Sequence, residues 1–99
     1  MIEKPDASQP HLVWMDLEMS GLDPEVNTIL EIATIITDYN LELISEGPVI
    51  ALYQTDEILD SMDDWNKEHH SKSGLLQRVR QSSISMTEAE SMTLDFVKR

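Results

Sequence analysis

No cysteine occurs in this chain, which excludes disulfides and thiolate metal sites and leaves the redox compartment unmarked. Basic residues are scarce: seven Lys and Arg stand against nineteen Asp and Glu, a formal net charge of −12. That balance excludes a groove holding long nucleic acid by bulk electrostatics, which needs a basic face. It allows a site in which cations bridge protein carboxylates to phosphates. No apolar run approaches the roughly 18 residues of a membrane span, so no membrane partner is expected. The first ten residues carry Glu3, Asp6 and two prolines, with neither the apolar core of a secretory signal nor the arginines of a transit peptide. The expectation is a soluble protein of the cytoplasm, or of the mitochondrion in a eukaryote. Residues 1–10 read as a disordered leader to one small domain over residues 11–99.

The most informative stretch is Val13-Trp14-Met15-Asp16-Leu17-Glu18-Met19-Ser20-Gly21-Leu22. Residues 12–18 read as a short apolar strand, and residues 19–27 as a loop broken by Gly21, Asp23-Pro24 and Asn27. Side chains alternate along a strand, so Asp16 and Glu18 share a face, with Cα atoms about 6.5–7 Å apart. Two neighbouring anions on an apolar strand repel unless a cation lies between them, and carboxylate oxygen suits Mg²⁺ or Mn²⁺.

Three explanations of the pair compete on residues alone. The first is a solvated strand end, the ordinary fate of exposed acids. The second is a calcium loop. Asp16, Glu18, Ser20 and Gly21 fit positions 1, 3, 5 and 6, but position 12 is Asn27 rather than the bidentate Glu, and position 9 is Pro24. The third is part of a two-metal cage for phosphodiester displacement, which needs further carboxylates and a general base from elsewhere.

Residues 28–38 (TILEIATIITD) give the strongest strand, rich in Ile and Thr and apolar on both faces, hence inside a sheet. Tyr39-Asn40 then predicts a tight hairpin with Asn40 at positive φ, leading to a third strand over residues 41–53. Gly47-Pro48 marks a bulge or an edge in that strand. Helical patterns follow. One is capped by Thr55 or Asp56, one begins at Asp63-Asp64-Trp65 and runs to about His70, and one starts at Leu75 after Ser73-Gly74. The last opens at Thr87-Glu88-Ala89-Glu90, with Ala89, Met92, Phe96 and Val97 at helical spacing. Trp14 is expected in the core, and Glu31 is expected to be structural, paired with a Lys or Arg.

The stretch from Trp14 to Pro24 resembles the first motif of the oligoribonuclease family, a branch of the DEDDh 3′–5′ exonucleases with a ribonuclease H-like fold. The resemblance continues through Ile29-Leu30-Glu31-Ile32-Ala33, Ile36-Thr37-Asp38, Glu46-Gly47-Pro48, Ser61-Met62-Asp63-Asp64-Trp65-Asn66, His70 and Ser73-Gly74-Leu75. It implies an α/β fold, here the amino-terminal part: a three-stranded antiparallel sheet followed by helices. By position, it implies that Asp16 and Glu18 are catalytic metal-binding carboxylates and that Leu22 wedges between the two bases of a short substrate. Trp65 would pack on the 3′ base, and His70 would sit near the phosphate. The implied activity is removal of mononucleotides from very short RNA, dinucleotides above all, with two Mg²⁺ or Mn²⁺ ions, by a homodimer. The family's third and fourth carboxylates and its general-base histidine have no counterpart here. The chain is therefore expected to be an incomplete and inactive portion, prone to self-association through an uncovered first strand. The alternative is a non-catalytic dinucleotide-binding or interaction module.

Overall fold

Ile29–Thr37 forms the middle strand, as its two apolar faces demand. The computed structural model, which describes residues 9–98, contains strands β1 (Leu12–Met19), β2 (Ile29–Thr37) and β3 (Leu43–Ala51). Helices α1 (Asp56–Asp60), α2 (Asp64–Lys72), α3 (Leu75–Gln81) and α4 (Met86–Val97) follow. β1 and β3 both pair antiparallel with β2, giving the order β1-β2-β3. This is the three-stranded antiparallel sheet followed by helices that the resemblance implied. Residues 1–8 of the expected leader lie outside the described residues. Among the described residues, no helix is long and apolar enough to cross a membrane.

Helices pack on both faces of the sheet at β2 and β3, and a bulge divides the core between them. Glu18 pairs with Glu31, but the next residue, Met19, pairs with Ile29, so Leu30 is extra. An inserted residue reverses the alternation beyond it. Leu30 therefore joins Leu59, Met62, Leu75 and Val79, with Ala51 alongside, beneath α1 and α3. Ile29 and Ile32 instead pack with Ile50, Leu52 and Ala89 of α4. Without the bulge, Leu30 and Ile32 would share one face.

A second bulge lies where Gly47-Pro48 predicted it. Ala33 pairs with Val49 and Ile35 with Glu46, which leaves Gly47 and Pro48 opposite Thr34. Proline has no N–H to give a ladder, and a bulge tolerates that loss. Gly47 is required for a different reason. A Cβ there would fall 2.6 Å from both the Phe96 ring and the Thr34 carbonyl oxygen. The Phe96 ring thus lies directly on the glycine backbone, and α4 docks by this close approach.

The hairpin differs from expectation. The connection is longer than two residues, and positive φ falls on Leu41 (68°) rather than Asn40. The cause is Asp38. Its Oδ1 accepts the N–H groups of Asn40 (2.8 Å) and Glu42 (3.0 Å), while its own N–H donates to the Glu42 carbonyl (2.9 Å). This Asx-type closure displaces the left-handed residue by one position. β3 consequently starts at Leu43.

The starts of α1, α2 and α4 carry side-chain caps. Thr55 accepts from the Ile58 N–H, Asp63 from that of Asn66, and Ser85 forms a capping box with Glu88. The last helix therefore begins at Met86, just before the predicted Thr87. Gly74, at φ 78°, supplies the left-handed turn between α2 and α3.

Trp14 is not core. β1 is an edge strand among the described residues, and Trp14 remains 48% exposed, its indole N–H donating to Thr37 Oγ1 at 3.0 Å. Val13, Met15 and Leu17 are exposed on the same strand.

Candidate functional site

The loop after β1 is built to push one side chain outward. Ser20 closes it at the base, its N–H donating to the Thr28 carbonyl (2.9 Å) while its Oγ accepts the Thr28 N–H (3.0 Å). Inside, Asn27 Oδ1 accepts the Asp23 N–H (2.9 Å), Asp23 Oδ1 accepts that of Glu25 (3.0 Å), and the Asn27 N–H donates to the Asp23 carbonyl (2.7 Å). A Cβ on Gly21 would meet Asn27 Oδ1 at 2.4 Å, so only glycine lets that amide fold over the chain. With its polar groups satisfied internally, the loop leaves Leu22 98% exposed. Held out on an ordered loop, Leu22 is free to contact a ligand from either side.

Helix α2 supplies the opposite wall. Asp63 Oδ1 accepts both the backbone N–H (2.8 Å) and the side-chain Nδ2 (3.0 Å) of Asn66, fixing the first turn. Trp65 and His69, four residues apart, stack with ring centroids 4.9 Å apart and planes 10° from parallel. His70 turns inward. It is 2% exposed, and its Nε2 lies 2.9 Å from the Met19 carbonyl oxygen. A carbonyl only accepts, so Nε2 carries the hydrogen and Nδ1 keeps the lone pair.

Two cavities flank Leu22. One, about 210 Å³, is lined by Glu18, Leu22, Trp65, Asn66, His69 and His70 among others. The other, about 590 Å³, lies toward Ser20, Asp23, Ser61 and Asp63, and shares Gly21, Leu22, Trp65 and Asn66 with the first. Glu18, Leu22, Trp65 and His70 thus come together. Asp16 lines neither cavity; it is exposed on β1 two residues before Glu18. The most apolar cavity, about 310 Å³, lies on the opposite face between Met15, Ile32, Leu52 and α4, away from all these residues.

Residues 13–99 match the family model described as Exonuclease. The chain belongs to this exonuclease family. Oligoribonuclease of Pseudomonas savastanoi pv. phaseolicola is 57% identical over 91 residues, covering 92% of this chain and 51% of that protein. The proteins of the same name from Shewanella amazonensis (53% over 91 residues; 92% and 50% covered) and Dichelobacter nodosus (57% over 89 residues; 90% and 49% covered) are similar. The chain spans about half the length of these curated relatives.

In this member of the exonuclease family, the pairing of Glu18 with Glu31 sets two carboxylates opposite each other on one face. Directly opposed like charges destabilise a sheet. Arg78 on α3 offsets this, donating from Nε (3.2 Å) and Nη2 (3.0 Å) to Glu31 Oε2, with Nη1 on the Ser73 carbonyl (3.1 Å). Glu31 is therefore the structural carboxylate it was expected to be. Glu18 stays free of that arginine and groups with His69 and His70, whose ligand atoms and its own all lie within 4.8 Å of one another.

His69 and Asn66 were not singled out from sequence. The i, i+4 spacing of Trp65 and His69 was the available signal for the first. The second stood in the block Ser61-Met62-Asp63-Asp64-Trp65-Asn66 that carries the resemblance, without a role of its own.

Replacing Arg78 with Met should destabilise the fold by about 1 kcal/mol, the upper range for a partly exposed ion pair. The double variant Arg78→Met/Glu31→Gln should recover most of that loss in urea unfolding. No recovery would mean that Arg78 acts through packing alone.

Proposed function

We propose that this chain carries the base-binding half of a 3′–5′ exoribonuclease acting on very short RNA, dinucleotides above all. The observation that supports it most is Leu22, bare and standing between two cavities that both border Trp65. That arrangement suits a ligand with two flat apolar faces set one phosphate apart, one base to each side of the leucine. Trp65, 68% exposed, offers its ring for stacking, and His70 sits near the phosphate. A short ligand also suits a chain of net charge −12 better than a long strand does.

Asp16 and Glu18 are the proposed catalytic carboxylates. Their oxygen donors fit Mg²⁺ or Mn²⁺. When bound, such ions supply water activation and stabilise the leaving oxygen in phosphodiester hydrolysis. The side chains hold and orient that charge at the rim of the cleft. Among the described residues, no third carboxylate, His or Cys forms a cluster with Asp16, so the 99-residue chain by itself should bind better than it hydrolyses. The second reading, a dinucleotide-binding module without catalysis, rests on the same point: the cavities beside Leu22 do not need a complete cage.

A second copy of the chain is the proposed protein partner. β1 ends the sheet with Val13, Trp14, Met15 and Leu17 exposed, and its sequence lacks the lysines and prolines that keep edges apart. Sedimentation should show concentration-dependent association, and a monomer at every concentration would contradict it.

The cleft is tested by titrating a diribonucleotide with Mg²⁺ or Mn²⁺ present. Binding is expected with little turnover. Trp65→Ala and Leu22→Ala should each weaken it by about tenfold or more, since stacking a base on an aromatic ring contributes about 1–3 kcal/mol. Asp16→Asn should remove the metal dependence. Robust turnover would establish an active enzyme and refute the incomplete cage. Absence of binding would refute the cleft itself.

A further inference from the structure

Beside the carboxylate pair stands a donor set of different character. Glu18, His69 and His70 place one ligand atom each within 4.8 Å of one another, one carboxylate oxygen and two imidazole nitrogens. We propose that these three residues form a site for a borderline transition-metal dication of the Zn²⁺ type, with its fourth position open to solvent. The site does not depend on the nuclease reading.

Three features support it. Imidazole nitrogen suits Zn²⁺, Ni²⁺ or Cu²⁺ and is a poor donor to Mg²⁺. The set therefore selects a different metal from the one Asp16 and Glu18 would take alone. Second, His70 already makes the kind of hydrogen bond by which metal-bound histidines are held. Its Nε2–H donates to the Met19 carbonyl at 2.9 Å, which fixes the tautomer and leaves Nδ1 as the free donor. That imidazole is 2% exposed, so the hydrogen bond is held in a dry environment. Third, His69 is exposed, stacked on Trp65 and edge-on to His70, and no hydrogen bond fixes its ring among the described residues, so it can turn. Donor atoms around a tetrahedral Zn²⁺ lie about 3.4 Å apart, given bonds of about 2.0–2.1 Å. Rotation of the Glu18 and His69 side chains toward His70 would close the remaining distance.

Three protein ligands and an open position is the stoichiometry of exchangeable rather than closed structural zinc sites. The cation would occupy the smaller cavity beside Leu22 and Trp65. Glu18 would then be claimed by two kinds of metal, one through its alternation with Asp16 and one through α2.

The test is calorimetric titration of the 99-residue chain with ZnCl₂ in excess Mg²⁺, using Co²⁺ absorption to report tetrahedral nitrogen and oxygen ligation. One equivalent should bind despite the Mg²⁺. His69→Gln, an exposed change, should weaken binding by at least about tenfold, the scale on which even outer-shell partners act, with circular dichroism confirming the fold. With Mg²⁺ omitted, Asp16→Asn should leave the Zn²⁺ affinity within about twofold, a shift of under 0.5 kcal/mol. Failure to bind Zn²⁺ in Mg²⁺ would overturn the proposal, as would His69→Gln binding like the parent chain. Equal loss in Asp16→Asn would also overturn it, placing the cation between Asp16 and Glu18 instead.

Discussion

One hydrogen bond assembles the cleft: His70 Nε2–H to the carbonyl of Met19, across 51 residues of chain. An edge strand leaves half its backbone groups unpaired, and a buried one must find a partner. Ser20 directs its N–H at Thr28 of the neighbouring segment, so the Met19 carbonyl before it faces away from β2. His70 reaches that carbonyl from α2. Fixing His70 fixes the helix, and Trp65 and His69 follow because they lie on the same two turns. Gly21 and Asn27 set the other wall by holding the loop that carries Leu22.

Electrostatics shapes what such a cleft accepts. Acids dominate the chain, and two of them, Glu18 and Glu31, oppose each other across β1 and β2. Arg78 neutralises the one on the α3 side and leaves the other facing the cleft. A cation is therefore the natural complement at Glu18, and phosphates would approach it by way of that cation rather than a basic surface. The exposed β1 edge answers to another force. Val13, Met15 and Leu17 share one face of β1, and Met15 also lines the apolar cavity beside α4.

Much of this was legible in the residues. The Ile- and Thr-rich run named the central strand, Gly47-Pro48 marked a bulge or edge in the third strand, and Thr55, Asp63 and Gly74 named helix boundaries. Glu31 was assigned a basic partner and has one. What escaped was non-local. The extra residue at Leu30 follows from how β1 and β2 pair, not from either strand's pattern, and it decides which side of the sheet Leu30 joins. Trp14 was placed in the core because it lies inside an apolar strand, yet burial needs a neighbour that β1 lacks among the described residues. Positive φ moved from Asn40 to Leu41 because a carboxylate three residues upstream captured the turn. His69 was passed over because its relation to Glu18 exists only after α2 docks.

The account's central claim is that Leu22 separates two base-sized spaces bordered by Trp65. Nuclear Overhauser contacts between a bound diribonucleotide and the labelled methyl groups of Leu22 test it most directly. Contacts from those methyls to protons of both bases, with Trp65 ring contacts to one base only, are the predicted result. Leu22 contacts to a single base, or nucleotide contacts confined to the opposite face near Met15 and α4, would contradict it.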